Sequence, residues 1–528
     1  MANAGAKPIV GGGRWRQHGG GSRGVLVGLD GSIVADLAAA TRRYRRPGVT
    51  GTSAVTAPDT RSETERDRGR LSYSAQLRRL AGVTQVVSPD LQTAQLHSRA
   101  SHTHKVALIA REIAEKLARS ALTNKSAMAV IKSHGGLDIA ACEAAGLAHD
   151  LGHPPFGHVG EQVLEAELRA TPGVWEGFEG NAQSFRIVTT LAHQKAETDD
   201  PGLALTSVTL AAILKYPYLR DLRTTPAHPH GEGHQKFGAY GSEAELMGEV
   251  RDDIVPGNAD RDYLVAPAAK KPVQSLEASV MDLADDIAYS VHDLEDFCAR
   301  GTIDLRLVHA ELGRALKALK SSGTIEATNV FVTAKAELAK DYATSFSPTA
   351  YHEALASVMN TFDLVAKTQT QPSPGLFEST LREQLSGIVN EFFEAIRCDG
   401  EADNPPVYLD TAAWHKMQVL KRVTRRYLVN TPAVGQVQRA QIVAMRRLFK
   451  GTVKWLQDAD SASTLPVKLQ EILAGSGLLV TNVKPPGVPS AEHYRAVADY
   501  ICTMSDSEAF EVAQWLAGAR VPGARSDP

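Results

Sequence analysis

Apolar side chains recur every three or four positions over much of the chain. In SHTHKVALIAREIAEKLA, Val106, Ile109, Ala110, Ile113 and Leu117 share one stripe, which predicts an amphipathic helix with Ser98 or Ser101 as its N-cap. LDIAACEAAGLAHD, ending at Asp150, is apolar nearly all round and predicts a buried helix. SLEASVMDLADDIAYSVHDLEDFCARG sets Leu276, Val280, Leu283, Ile287, Val291 and Leu294 at helical spacing, with Gly301 as the stop. A Pro/Gly/His-rich connection, TTPAHPHGEGHQKFGAYG, separates the second helix from the third. Later, QTQPSPG and DGEADNPP read as loops, and LPVKLQEILAG and HYRAVADYICTMSDSEAFEVAQWLAG as helices. There is no strand series and no repeat of fixed period. The expected class is all-α, with a core over residues 66–310 and a C-terminal helical region over 311–528.

Residues 1–65 are rich in Gly, Arg, Ser and Thr and read as a mostly disordered tail. Within them, GVLVGLDGSIVADLAAATRRYRR could form a short amphipathic element, but nothing nearby offers it a core. Its arginines could touch nucleic acid; a solvated tail is the simpler reading. The chain of 528 residues is 43% hydrophobic and only 6% aromatic, so its core is aliphatic, which favours helices. A net charge of −3 gives no broad basic field for nucleic acid or membrane. Cys142, Cys298, Cys398 and Cys502 are far apart and form no CxxC, which argues for a reducing compartment and against both a disulfide frame and a zinc–thiolate centre. No apolar run reaches the ~20 residues of a membrane helix. The first residues lack the apolar core of a signal peptide, so a cytoplasmic protein is expected.

The chemistry concentrates in AHDLGHPPFGHVGE at 148–161. His149 and Asp150 end a buried helix, where two neighbouring residues can turn toward one ion without distorting a mid-helix turn. His102 stacks under Val106 on the buried stripe, whereas His104 falls on the opposite face. A lone histidine there can equally be a satisfied core residue. Asp285 points away from the leucine stripe, in company with Met281, Ala288, Tyr289 and His292. That mixture suits a cleft wall, although an acidic solvated face has the same spacing.

His102, His149–Asp150 and Asp285 together resemble the H…HD…D signature of HD-domain metallohydrolases. RLSYSAQLRRLAGVTQVV, RASHTHKVALIAREIA, AHDLGHPPFGHVGE, FEGNAQSFRIV, LKYPY, KFGAYGSE, LADDIAYSVHDLED and RAVADYICTMSD narrow the resemblance to the bacterial deoxynucleotide triphosphohydrolases, the dGTPase family, over residues 66–515. The resemblance implies an HD-domain helical fold and one divalent ion, Mg, Mn or another transition metal, held by His102, His149, Asp150 and Asp285. It implies release of intact tripolyphosphate from a deoxynucleoside triphosphate, by attack at the α-phosphate. His158 and Glu161 would do the acid–base work, with His153 near the phosphates. The i,i+3 spacing of His158 and Glu161 puts a carboxylate beside an imidazole.

By the same resemblance, Arg99 matches a phosphate contact, with Lys215, Arg78, Arg79 and Arg186 as weaker candidates. Gln85 reads the sugar, Asn181 and Gln183 shape the site, Tyr289 packs against the deoxyribose and Asp293 bonds its 3′-hydroxyl. Family members more often carry a carboxylate at Lys105, a lysine at Val83 and a phenylalanine at Leu77; none of these is a proposed ligand. The family also suggests a homo-oligomer (hexamer or tetramer), an allosteric nucleotide and single-stranded DNA as partners, and dGTP as the first substrate to try. The alternatives are another HD-domain phosphohydrolase, such as a 5′-nucleotidase or phosphodiesterase, and a non-catalytic nucleic-acid-binding regulator.

Overall fold

A computed structural model of the chain describes residues 9–10, 13–18, 25–47, 60–85, 98–192, 202–220, 236–254, 274–299, 301–320, 329–341, 345–369, 374–401, 404–429, 431–459, 462–478 and 489–519. Most of the 224–241 connection lies outside the described residues. The fold is all-α. It divides into two compact units, of which the first takes the chain up to Met281 and again from Val437.

In the first unit, α1 (Leu37–Arg43) is followed by α2 (Arg99–Ala121) and α3 (Ile139–Ala148). Ser98 caps α2, accepting from the Ser101 amide, and Val106, Ile109, Ala110, Ile113 and Leu117 are all buried. Asp138 caps α3 through the Ala141 amide at 2.7 Å. The uniformly apolar α3 is buried along its length except at Glu143, which pairs with Arg68 and Arg111. Where α3 meets α2, a Cβ on Gly146 would lie 2.6 Å from the Cα of Ala107, so only glycine allows this approach. The close crossing brings the start of α2, with His102, beside the end of α3, with His149.

The unit continues through α4 (His158–Arg169), α5 (Gly180–Arg186) and the first part of α6 (Leu276–Ile287). It closes with α7 (Ala491–Ile501) and α8 (Asp506–Leu516), separated by the N-cap Ser505. One apolar cluster gathers Leu71, Leu77, Ala107, Ala144, Leu147, Phe185 and Val208. Another packs Phe156, Leu164 and Phe178 against Met445, Leu448, Val497 and Ile501.

The expectation of a mostly disordered tail over residues 1–65 is corrected for residues 25–47. A small antiparallel sheet runs in the order β1 (Ile9–Val10), β2 (Gly13–His18), β3 (Val25–Gly28), β4 (Ile33–Val34) and β5 (Gly136–Leu137). Ile33 pairs with Leu137 immediately before α3, which supplies the partner that local sequence could not show. Arg43 of α1 is fully buried in an ion pair with Glu277 of α6, and Tyr44 donates to Asp138 at 2.8 Å.

The second unit covers residues 282–436. Helices Leu305–Lys320, Pro348–Gln369 and Thr411–Thr424 bury Leu312, Tyr351, Leu355, Phe362 and Leu420. The two units divide inside α6 rather than near residue 310, and the chain beyond Val437 belongs with the first unit. Periodicity missed this because an uninterrupted helix leaves no composition shift at the division. Among the described residues no helix is long and apolar enough to cross a membrane.

Candidate metal and acid–base site

His102, His149 and Asp150 are buried, and their ligand atoms all lie within 4.8 Å of one another. The imidazole centroids of His102 and His149 are 5.7 Å apart. His149 Nδ1 lies 2.8 Å from the Gly146 carbonyl. Donation there fixes the tautomer and makes Nε2 the lone-pair nitrogen, the form a metal-binding imidazole takes. Asp150 Oδ1 stands 3.6 Å from His149 Nε2, while Asp150 Oδ2 accepts from Arg99 at 2.6 Å. Burial alone would raise the Asp150 carboxyl, but Arg99 and the neighbouring histidines hold it well below the usual carboxylate range. Two imidazoles and an ionised carboxylate from rigid positions fit a hard or borderline divalent ion.

The second group sits across the turn that follows α3. His153 Nδ1 is 3.1 Å from Asp150 Oδ1. Burial, with Arg99 beside it, lowers the His153 pKa to about 4, so its ring is neutral near pH 7. Pro154 and Pro155 lead to Phe156 and Gly157, both at positive φ (66° and 55°), a strained reversal that starts α4 at His158. His158 Nδ1 lies 3.0 Å from Glu161 Oε2, with the His158 side chain exposed and that of Glu161 buried. The other Glu161 oxygen accepts from Lys236 Nζ at 3.0 Å and from the Gly180 amide at 3.2 Å. Burial acts to raise the Glu161 carboxyl, but His158 and Lys236 overcome it and hold it well below its ordinary value. Lys236 also donates to Glu179 at 2.9 Å. The two carboxylates outweigh its desolvation and push its ammonium upward.

The other expected residues take varied places. Arg99 is buried; its Nε and second terminal nitrogen have no hydrogen-bond partner among the described residues. Gln85 is half-buried, and its Oε1 has no partner there either. Asn181 donates to Glu179 at 2.7 Å, beside Lys236. Gln183 is fully buried, donating to Asp499 at 2.8 Å and accepting from Tyr240 at 3.2 Å, so it ties α5 to α7. Lys215 is half-buried just after the helix Ser207–Ile213. Arg79 and Arg186 are engaged within the fold. Arg79 donates to the Leu151, His153 and Met504 carbonyls, and Arg186 pairs with Glu243 and Asp499. Arg78 donates to the Tyr73 carbonyl.

Asp285, Tyr289 and Asp293 fall in the second unit. Asp285 is half-buried in the last turn of α6, and Asp293 is fully buried. The helix widens to π geometry over Ala288–His292, so one wide turn separates Asp285 from Asp293. Burial, then the nearby Asp293, pushes the Tyr289 phenol up to about 12. Sequence reasoning did not single out Lys236 or Glu179, although both lie in words it had marked, KFGAYGSE and FEGNAQ. A buried acidic residue paired with a lysine leaves no periodic trace.

Residues 99–290 match the family model described as the HD domain. A deoxyguanosinetriphosphate triphosphohydrolase-like protein 2 of Mesorhizobium japonicum is 32% identical over 403 residues, covering 71% of this chain and 79% of its own length. The chain belongs to the deoxyguanosinetriphosphate triphosphohydrolase-like family of HD-domain proteins. A family member from Corynebacterium efficiens is 42% identical over 253 residues, 47% of this chain and 49% of that protein. Another, from a Shewanella species, is 28% identical over 478 residues, 87% of this chain and 92% of that protein. The chain thus spans about half the length of the Corynebacterium relative it matches, and most of the other two.

Proposed function

We propose that the chain is a metal-dependent deoxynucleoside triphosphate triphosphohydrolase, converting a dNTP and water to a deoxynucleoside and tripolyphosphate. One observation carries the reading: a buried His–His–Asp donor set and a His–Glu dyad stand on either side of a single strained turn. His102, His149 and Asp150 would hold the ion. A divalent ion there would polarise an α-phosphate oxygen.

The dyad supplies the proton transfer. With Nδ1 donating to ionised Glu161, His158 keeps a lone pair on Nε2, which accepts the proton of a water attacking the α-phosphorus. The bond from the α-phosphorus to the 5′-oxygen breaks on the face opposite the attacking water, and that oxygen takes its proton from solvent. Glu161 orients the ring and stabilises its protonated form. The ~4 negative charges of the triphosphate call for cations. Arg99, with unsatisfied buried N–H groups, answers that need, and Lys215 is a further candidate; His153, neutral near pH 7, would serve as a hydrogen-bonding neighbour of the phosphates rather than as a cation. Gln85 would read the sugar, and Asn181 and Gln183 would shape the site.

The test is incubation with each dNTP, dGTP first, in Mg²⁺ and in Mn²⁺, with both products identified by chromatography. Deoxynucleoside plus tripolyphosphate is expected. A nucleoside monophosphate or orthophosphate would replace this reading with another phosphohydrolase.

A further inference from the structure

The turn between His153 and His158 is strained, and α3 and α4 alone do not explain its shape. Phe156 is a buried, bulky residue at φ 66°, and its amide cannot join the ladder of α4. Such an amide needs a partner, because an unpaired buried N–H costs as much as a lost hydrogen bond. The partner comes from the far end of the chain. Asp506, the first residue of α8, accepts from the Phe156 amide at 2.7 Å through Oδ1. Its other oxygen accepts from the Thr84 amide at 3.1 Å and the Thr84 hydroxyl at 2.6 Å. Four residues on, Phe510 lays its ring 4.6 Å from that of Phe156. Arg79 braces the same turn, donating to the Leu151 and His153 carbonyls and to Met504, two residues before Asp506. One carboxylate thus joins three stretches: the residue before Gln85, the turn that ends at His158, and the C-terminal helix pair.

We infer that Asp506 is the positioning residue of the acid–base turn, holding Phe156 in its left-handed conformation so that His158 and Gln85 are presented together. It touches no reacting atom and acts through Phe156 and Thr84. The inference rests on the function proposed for His158, but the clamp itself has a readout that does not. Asparagine is the discriminating replacement. It keeps size and removes one acceptor oxygen, so an N–H₂ group must face either Phe156 or Thr84, both of which donate.

The experiment compares wild type, Asp506→Asn and Thr84→Val by hydrogen–deuterium exchange and by steady-state hydrolysis of dGTP. In Asp506→Asn, peptides containing Phe156 and Thr84 should exchange about tenfold faster or more, while Ile139–Ala148 stays as in wild type and Mn²⁺ binding is retained. The kcat should fall by about 10- to 100-fold with KM changed much less, because a small misplacement of the general base is costed in the transition state. Thr84→Val, which loses only the hydroxyl bond, should fall between the two. Unchanged exchange at both peptides overturns the clamp, and faster exchange with unchanged kcat overturns its positioning role. If the wild type hydrolyses no dNTP while the exchange difference appears, the triphosphohydrolase reading fails and the clamp stands.

Discussion

His102, His149 and Asp150 are delivered by two helices, whereas His153, His158 and Glu161 straddle a turn. The first group is positioned by periodicity. A stripe of small and branched side chains buries α2 against α3, and one glycine sets their separation. The second group is positioned by clamps from distant sequence: Lys236 on Glu161, Arg79 on the Leu151 and His153 carbonyls, and Asp506 on the Phe156 amide. Rigid packing suits an ion site, which needs donors at fixed distances. A turn held by charged side chains suits the acid–base role proposed for the dyad, and one of its clamps, Lys236, also helps to hold the Glu161 carboxyl down.

That contrast predicts effects of different kind and size. His149→Ala should abolish dNTP hydrolysis, by about a thousandfold or more, and weaken Mn²⁺ binding in calorimetry with helical circular dichroism unchanged. Binding and turnover that survive intact would separate this histidine from the ion site. His158→Ala should cost about 10²–10⁴ in kcat while Mn²⁺ binding remains, the signature of a lost general base. Metal loss in that variant would merge the two groups into one.

Lys236→Met tests the clamp on Glu161. It leaves two buried carboxylates facing each other without their shared cation, so stability to urea should fall by about 1–3 kcal/mol. In the wild type, the Glu161 carboxyl is held down despite burial, by His158 and Lys236. Its contribution to stability is therefore present above the unfolded pKa and lost only as pH falls through the lowered folded one. Without Lys236 that folded value rises, so the acid limb of kcat against pH should move to higher pH, and an unmoved limb would show that His158 alone sets Glu161.

The smallest effect belongs to a carboxylate in neither group. Asp67 is pushed up to about 6 by burial, against Arg46 and the Thr206 hydrogen bonds. The folded state then binds more protons than the unfolded state between about pH 4 and 6, so this residue favours folding increasingly as pH falls. The stability difference between wild type and Asp67→Asn should therefore shift by about 1 kcal/mol in favour of wild type from pH 7 to pH 5. No shift, or one of opposite sign, would contradict the burial of an unbalanced charge there.

How much of this was legible in the sequence follows the same division. The helices carrying His102 and His149 announced themselves through Val106, Ile109, Ile113 and the alanine run, since burial of one face imposes a period. The dyad was legible through its i,i+3 spacing and its motif. Lys236, Glu179 and Asp506 were not, because partners 57 to 350 residues away impose no local pattern. The strands at Val25–Gly28 and Ile33–Val34 were missed for the same reason: their closing partner is Gly136–Leu137. By the resemblance Arg79 and Arg186 are candidate phosphate contacts, yet buried carbonyls and carboxylates engage them.

The most direct measurement is hydrolysis of dGTP by the full chain with Mn²⁺ in ¹⁸O-labelled water, followed by mass spectrometry of both products. Attack of water at the α-phosphorus, with the imidazole of residue 158 taking the water's proton, predicts unlabelled deoxyguanosine and one ¹⁸O in tripolyphosphate. Label in the nucleoside, or release of dGMP or orthophosphate instead, would contradict the account.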